Sequence, residues 1–129
     1  MLIHWPSPDN EVSMVDYLTA LKEVKAEGKA RNIGISNFTI AQVDEAVSIL
    51  GKGEILTNQI EVHPFLQNRK LAEHCEQHGI QVTAFMPLAV GKVMDDPTLK
   101  QIADAYNVTP AQIALAWVKQ RNMITIPSS

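Results

Sequence analysis

The chain has 129 residues, of which 46% are hydrophobic and 19% are charged, a length and composition that exclude a disordered protein and suffice for one globular domain. Its net charge of −3 gives no electrostatic basis for binding nucleic acid or an anionic membrane. Cys75 is the single cysteine, which excludes an internal disulfide and favours the reducing cytoplasm. No apolar run approaches the roughly 20 residues of a membrane span, and residues 1–6 lack the pattern of a signal peptide.

The first segments of the chain predict a strand followed by an amphipathic helix. Leu2–Trp5 is an apolar strand stopped by prolines, and Asp9 or Asn10 is expected to cap the helix that follows. Gly28 is expected to end this helix in a left-handed conformation. The apolar stripe at mostly three-residue spacing consists of Val12, Val15, Leu18, Leu21 and Val24.

The next segments repeat the same alternation. Asn32–Ser36 predicts a second strand, and Thr39 with Gln42 has the spacing of a capping box at the start of a second helix. Gly51 ends this helix, and Ile55–Val62 predicts a third strand. The expected buried stripe of the second helix is Val43, Ala46, Val47 and Leu50.

The remaining segments predict three helices and two strands. A helix over Asn68–His78 with Leu71, Ala72 and Cys75 inward leads to a strand over Ile80–Phe85, and the last strand spans Met123–Ile126. Between these strands, Asp96-Pro97 and Thr109-Pro110 each combine a capping residue with proline at the first helical position. The apolar stripes expected for these two helices are Leu99, Ile102, Ala103 and Tyr106, and Ile113, Leu115, Ala116 and Trp117.

Five strands that alternate with helices predict an α/β fold with a parallel sheet and right-handed crossovers. No G-x-G-x-x-G follows any strand, which argues against a Rossmann dinucleotide fold, and there is no P-loop motif. A (β/α) barrel fits better, although a complete one needs roughly 250 residues. The chain has about half that length.

Polar or aromatic residues stand at the carboxyl end of every predicted strand. In a barrel these ends converge on one face, where sites are built. The residues in question are His4, Trp5, Ser36, Asn37, Gln59, Glu61, His63, Phe85, Met86, Ser128 and Ser129.

Each position also has a purely structural interpretation. His4 has about even odds of being a hydrogen-bonded histidine between apolar neighbours, and spacing alone favours turn and capping roles for Ser36 and Asn37. His63 precedes proline and fits a turn. Gln59 and Glu61 share one face of their strand, and packing alone is a poor explanation for them because buried polar groups are costly unless paired.

His74 and His78 are spaced i, i+4 on one predicted helix, as in a metal-binding pair. Glu73 and Glu76 flank them, but the sequence shows no third ligand with clear spacing. A solvated helix face is therefore the prediction, with no metal site, and Cys75 is predicted to be a small core residue.

Four motifs in order resemble the second half of the aldo-keto reductase family, whose members are (β/α)₈ TIM barrels that reduce carbonyls with NADPH. The motifs are Leu2–Pro6, Gly34–Phe38, Asn58–Pro64 and Ile126–Ser129. Within the family, residues 5–8 and 65–70 most resemble the bacterial 2,5-diketo-D-gluconate reductases, especially the B type. The resemblance implies that residues 1–129 form a partial barrel domain with roughly strands 4 to 8.

The resemblance also implies roles for individual residues. His4 matches the catalytic histidine that orients the substrate carbonyl, and Trp5 belongs to the substrate pocket. The positions that match NADPH-binding residues are Ser36, Asn37 and Gln59 for the nicotinamide carboxamide, Phe85 for stacking on the nicotinamide ring, Leu88 for the pyrophosphate loop, and Ser128 and Ser129 for the adenosine phosphate. Many members have lysine where Ser128 stands, so NADH is not excluded.

The proton-donating tyrosine of the family and its lysine and aspartate partners belong to the first half of the barrel. Tyr17 and Tyr106 lie in predicted helices and do not match that tyrosine. The expected function is therefore that of a fragment of an NADP-dependent, cytoplasmic carbonyl reductase for α-dicarbonyls or keto sugars. The alternatives are an inactive half barrel that self-associates through open edges or binds a partner, and a weak nucleotide-binding module.

Overall fold

The computed structural model describes residues 1–128, in which strands and helices alternate as predicted. The strands are β1 (Leu2–Ile3), β2 (Ile33–Ser36), β3 (Ile55–Glu61), β4 (Gln81–Phe85) and β5 (Ile124–Ile126). The α-helices are α1 (Met14–Ala26), α2 (Ile40–Leu50), α3 (Arg69–Gln77), α4 (Pro97–Tyr106) and α5 (Pro110–Gln120). Short 3₁₀ segments span Pro8–Asn10 and Ala89–Met94. Among the described helices, none is both long and apolar enough to cross a membrane.

The strands are hydrogen-bonded in chain order, β1-β2-β3-β4-β5. β1 pairs in parallel with β2, β2 with β3, and β4 with β5. The predicted parallel α/β sheet is therefore confirmed. Each strand is shorter than the sequence predicts, and β1 ends at Ile3, which leaves His4 and Trp5 just beyond its carboxyl end.

The chain divides into two compact units, residues 1–60 with 69–82, and residues 61–68 with 83 onward. Buried apolar side chains fill each of them. In the first unit the core includes Leu18, Ile33, Ile35, Phe38, Val43 and Ala46. In the second it includes Ala89, Val93, Leu99 and Ala114.

Helix starts follow the capping chemistry of the sequence in three of the four cases where a cap was predicted. Thr39 and Thr109 both form the predicted capping boxes with the glutamine three residues later, and the Asp96 carboxylate accepts a hydrogen bond from the Leu99 amide at 2.8 Å. The prediction for α1 is wrong. Its cap is Ser13, because Asp9 and Asn10 lie in a 3₁₀ turn with positive φ.

The buried faces of three helices differ from the predicted stripes. Because α1 begins at Met14, its buried residues are Met14, Leu18 and Leu21, whereas Val12 and Val15 are exposed. In α4 only Leu99 and Ala103 of the predicted stripe are buried. In α5 the buried residues are Ala114 and Val118, while the larger Ile113, Leu115 and Trp117 are half-buried.

An irregular register between β2 and β3 determines which residues meet near their carboxyl ends. From Ile33 to Ile35, the partner on β3 advances by three positions, from Ile55 to Asn58, so β3 carries one extra residue. Such bulges are rare in parallel pairs and are often found beside functional sites, where they redirect side chains. Beyond the bulge Ser36 lies opposite Gln59.

The backbones at Gly34 approach too closely to accommodate a side chain. A Cβ atom at this position would lie 2.6 Å from Leu2 Cδ2 and 2.8 Å from the Thr57 carbonyl oxygen. We expect Gly34→Ala to lower the free energy of unfolding by about 1–3 kcal/mol, because strand backbone must move to relieve the overlap. Urea unfolding of both proteins measures this difference.

Gly53→Ala is the matched control for Gly34→Ala. Gly53 has φ +83° and nothing within 4 Å of the added Cβ, so this substitution introduces backbone strain without crowding. Its expected cost is about 1 kcal/mol. If Gly34→Ala proves no more destabilising than this control, crowding at Gly34 has been overestimated.

Candidate active site

Hydrogen bonds join four of the predicted site residues at the carboxyl ends of β1, β2 and β3. The Ser36 hydroxyl donates to the Gln59 carbonyl oxygen at 2.8 Å, and the Asn37 amide N–H donates to the same oxygen at 2.9 Å. The Asn37 side-chain amide donates to the His4 carbonyl oxygen at 3.0 Å and to Ser36 Oγ at 3.2 Å. The structure therefore brings His4, Ser36, Asn37 and Gln59 together.

Asn37 connects these strand ends because its backbone and side chain act together. Its φ is +63°, in the left-handed region that asparagine tolerates better than most residues. This conformation turns the chain from β2 toward the buried Phe38 and the capping residue Thr39. The interpretation of Asn37 as a turn residue is thus correct, and its side chain also ties β2 to β1.

Asn37 provides a stability prediction that separates backbone from side-chain effects. We expect Asn37→Ala to lower the free energy of unfolding by about 1–2 kcal/mol, since it removes both hydrogen bonds and places alanine in the left-handed region. Asn37→Gly removes the same hydrogen bonds but accepts that conformation, so it should be less destabilising. Equal losses in chemical unfolding would contradict the backbone contribution.

His4 and Trp5 lie beyond β1 with exposed side chains. Their ring centroids are 6.1 Å apart and the ring planes are tilted by 39°. Trp5 is 61% exposed, which is high for a residue of its size. The His4 imidazole is therefore not a buried core group, and the two rings form an accessible aromatic surface beside the strand ends.

The polar atoms of this cluster are complementary to a carboxamide. Both hydrogens of the Asn37 amide and the Ser36 hydroxyl hydrogen are used within the cluster, so Asn37 Oδ1 and one Ser36 lone pair remain as acceptors. The half-buried Gln59 side chain adds two donors and an acceptor. A ligand carboxamide has one acceptor and two donors, so these residue types include a partner for each of its groups.

The other predicted cofactor positions lie in the second unit. Phe85 is half-buried at the end of β4, opposite Ile126 of β5. Leu88 is half-buried and packs against the core of this unit. Ser128 is exposed, and Ser129 lies outside the described residues. The cofactor roles of Phe85, Leu88 and Ser128 stay predictions.

The segment after β4 contains three non-glycine residues in the left-handed region. Met86, Ala89 and Val90 have φ of +48°, +49° and +54°. This conformation is costly for a β-branched residue such as Val90, whose side chain is 80% exposed and gains little from packing. Strained backbone of this kind clusters at binding segments, and the pyrophosphate-loop role of Leu88 stays a prediction.

Glu61 and His63 form a structural pair. His63 is buried, its Nδ1 accepts from the Leu66 amide at 3.1 Å, and its Nε2 lies 2.9 Å from Glu61 Oε1. Because Nδ1 is an acceptor, the proton of the neutral ring is on Nε2 and is directed at the carboxylate. The predicted turn is confirmed, with paired backbone hydrogen bonds between His63 and Leu66.

Cys75 is a core residue, as predicted. Burial raises the pKa of its thiol, and a 3.8 Å hydrogen bond from the Asn58 amide acts in the opposite direction. Asn58 itself is fully buried and was not identified from the sequence. The available signal was a run of three polar residues, Thr57 to Gln59, inside a predicted strand that begins with Ile55 and Leu56.

His74 and His78 do not form the solvated helix face that the sequence predicts. Both are half-buried, and both rings contact Asp44 of α2, at 2.7 Å and 3.1 Å. The hydrogen bond from His74 is the largest cause of the lowered pKa of the Asp44 carboxyl. Asp44 is 30 residues away in sequence, so its proximity depends on the packing of α2 on α3.

Comparison with known proteins identifies the whole chain as similar to one family. The model of the aldo/keto reductase family matches residues 1–129. The methylglyoxal reductase DkgB of Escherichia coli O157:H7 is 50% identical over 128 residues, which are 99% of this chain and 48% of that protein. A glyoxal reductase of Bacillus subtilis is 39% identical over 130 residues and is covered to 45%.

Solved structures agree with this result. A putative 2,5-diketo-D-gluconic acid reductase B has a TM-score of 0.91 at 40% identity, and the apo form of Gox0644 has a TM-score of 0.92 at 38% identity. Each match covers 99% of this chain and 45% or 46% of the solved chain. The five parallel strands thus match a partial TIM barrel, which confirms the predicted fold, and the chain spans about half the length of these relatives.

Proposed function

Because the chain belongs to the aldo/keto reductase family, we propose that it acts as part of an NADPH-dependent reductase of small aldehydes and ketones. The substrates we propose are α-dicarbonyls or keto sugars, in keeping with relatives named for methylglyoxal, glyoxal and 2,5-diketo-D-gluconic acid. The observation that carries this proposal is the hydrogen-bonded cluster of His4, Ser36, Asn37 and Gln59. We also propose a cytoplasmic location, which suits the buried thiol of Cys75.

In this proposal three side chains fix the nicotinamide ring by its carboxamide. NADPH, when bound, would supply the hydride. Asn37 Oδ1 and Ser36 Oγ would accept from the carboxamide nitrogen, and the Gln59 amide would donate to the carboxamide oxygen. With the carboxamide nitrogen and oxygen both hydrogen-bonded, the nicotinamide ring can bind in only one orientation. This orientation decides which face of the nicotinamide ring is turned toward the substrate.

The remaining cofactor contacts in the proposal come from the second unit. Phe85 would stack on the nicotinamide ring, since a phenyl ring keeps the π-face of the tyrosine more usual in the family. Leu88 would line the pyrophosphate, and Ser128 and Ser129 would begin the adenosine-phosphate segment. NADH is the alternative cofactor in this proposal, because a serine stands at position 128 where many members have a lysine.

His4 would orient the substrate carbonyl beside Trp5. One ring nitrogen of a neutral imidazole donates a hydrogen bond, which suits a carbonyl oxygen that gains negative charge during reduction. Tyr17 and Tyr106 lie in α1 and α4 and do not match the family's proton-donating tyrosine. In this proposal that tyrosine and its lysine and aspartate partners come from the other half of the barrel. We therefore expect the isolated chain to be nearly inert, as general acid catalysis typically contributes about 10²–10⁴-fold.

A chimera tests the proposal directly. In it, this chain replaces the segment that it matches in the E. coli relative, and the relative supplies every other residue. We expect the purified chimera to reduce methylglyoxal with NADPH, and the isolated chain to be about 10²–10⁴-fold slower. A folded but inactive chimera would refute the reductase proposal, whereas an equally active isolated chain would refute only its inertness.

The second candidate function is an inactive half barrel that self-associates or binds a partner. Apolar side chains on both edge strands favour it, since Leu2 of β1 and Ile124 and Ile126 of β5 are each more than a third exposed. Unpaired sheet edges of this kind promote pairing with another chain. Sedimentation velocity distinguishes the candidates: a well-folded monomer across the micromolar range would contradict self-association.

A further inference from the structure

Two helices of the first unit bring together three side chains that can bind a metal ion. His74 lies on α3, His78 follows directly after the last residue of α3, and Asp44 lies on α2. The candidate ligand atoms of these residues all lie within 4.8 Å of one another. No other group of three such side chains occurs in residues 1–128.

Both histidines direct the same ring atom to one point. His74 Nε2 lies 2.7 Å and His78 Nε2 lies 3.1 Å from the same carboxylate oxygen, Oδ1 of Asp44. Their ring centroids are 4.8 Å apart. Spacing of i, i+4 places two side chains on one helix face, and here the facing helix supplies an oxygen between them.

The ligand types and spacing suit a transition-metal ion. Imidazole nitrogen and carboxylate oxygen bind Zn²⁺ at about 2.0–2.2 Å in tetrahedral geometry, which separates neighbouring ligand atoms by about 3.3–3.5 Å. The two observed nitrogen–oxygen distances are shorter than this by less than an ångström. Small rotations of the His74, His78 and Asp44 side chains would therefore make room for the ion. The ion would replace the Nε2 hydrogens that the two imidazole rings now donate to Asp44.

The site is also accessible to the ion and to water. The Asp44 side chain is 51% exposed, and those of His74 and His78 are 21% and 28% exposed. The two imidazole rings are therefore mostly covered, whereas the Asp44 carboxylate is open to solvent. A water molecule on this open side could complete the coordination of the metal ion. Mg²⁺ and Ca²⁺ prefer oxygen ligands and do not suit a pair of imidazoles.

We propose that Asp44, His74 and His78 form a surface site for Zn²⁺ or a transition metal of similar ligand preference, which clamps α2 to α3. This site is separate in its residues from the His4 cluster and does not depend on the proposed reductase activity. Its expected consequence is a more stable folded chain, since an ion that binds only the folded state stabilises it in proportion to RT ln(1 + [L]/Kd).

Titration of the metal-free chain with Zn²⁺ by calorimetry tests the site. We expect one ion per chain and a concentration-dependent rise in Tm, with no comparable effect of Mg²⁺. The double variant His74→Gln/His78→Gln should bind about 100-fold more weakly, and Asp44→Asn at least about 10-fold more weakly. Absence of stoichiometric Zn²⁺ binding to the unaltered chain would overturn the proposal.

Two control variants match the substitutions. Glu73→Gln removes an exposed carboxylate from α3 outside the group, and His4→Gln removes an exposed imidazole elsewhere, so both should retain full Zn²⁺ affinity. Circular dichroism establishes that each variant is folded. If a control variant lost as much Zn²⁺ affinity as the double variant, the assignment would be overturned. The Co²⁺-loaded chain should show a visible absorption band typical of tetrahedral Co²⁺, and His74→Gln should abolish it. Absence of this band from the unaltered chain would also overturn the assignment.

Discussion

In the chimera with the E. coli relative, His4→Phe is expected to lower kcat/KM for methylglyoxal by about 10²–10³-fold. This is the cost of removing one hydrogen-bond donor from a carbonyl oxygen that becomes negative in the transition state. The donor binds the transition state more strongly than the ground state, so most of the loss should fall on kcat rather than KM. Steady-state kinetics with NADPH in excess measures both parameters.

The affinity of the chimera for NADPH serves as the control for His4→Phe. The contact of His4 with Asn37 uses the His4 backbone carbonyl, which this substitution leaves in place. The carboxamide-binding atoms of Asn37, Ser36 and Gln59 should therefore be undisturbed, and quenching of protein fluorescence should give an unchanged Kd for NADPH. Activity within threefold of the unsubstituted chimera would contradict the catalytic role of His4.

Features encoded by neighbouring residues could be predicted from the sequence. The capping boxes of Thr39 and Thr109 each need only two residues, three positions apart, and both form. The strand ends that carry Ser36, Asn37 and Gln59 follow from apolar runs that end in polar residues, and these residues meet in the structure. Parallel strands bring such ends together, so the cluster needed no long-range information beyond the alternation of strands and helices.

Features that depend on packing between distant segments were missed. Asp44 meets His74 and His78 only because α2 packs on α3, and nothing in the spacing of 30 residues indicates this. The start of α1 was misplaced because Asp9 and Ser13 are both good caps, and a 3₁₀ turn leaves Ser13 in the capping position. The bulge in β3 was also missed, although Gly34 lies within the register shift between Ile33 and Ile35.

Asn58 is the position where a single substitution should affect stability most. It is 0% exposed, its amide donates to the Phe38 carbonyl oxygen at 3.1 Å, and its own Oδ1 is buried without a partner. Asn58→Asp replaces the donor by oxygen, so two oxygens would face each other at this contact. A buried carboxylate without a cation is expected to lower the free energy of unfolding by about 3–5 kcal/mol at pH 7.

The pH dependence of Asn58→Asp follows from the same burial. Burial raises the pKa of the new carboxyl above its unfolded value of about 3.9, because the charged form loses its water. Below that value the carboxyl is neutral in both states and the penalty for charge is absent; the penalty grows as the pH rises toward the folded pKa. Urea unfolding should therefore show a larger difference from the unsubstituted chain at pH 7 than at pH 4.

Asn32→Asp provides the control for this charge effect. Asn32 is exposed just before β2, and its backbone carbonyl already accepts from the N-terminal ammonium at 2.9 Å. The same chemical change there leaves the carboxylate in water, and its expected effect is within about 0.5 kcal/mol. If Asn58→Asp lowered the free energy of unfolding no more than Asn32→Asp, the prediction would be contradicted. It would also be contradicted if the loss were the same at pH 4 and pH 7. In either case the buried Asn58 amide would not stabilise the contact between β3 and Phe38 as its hydrogen bond indicates.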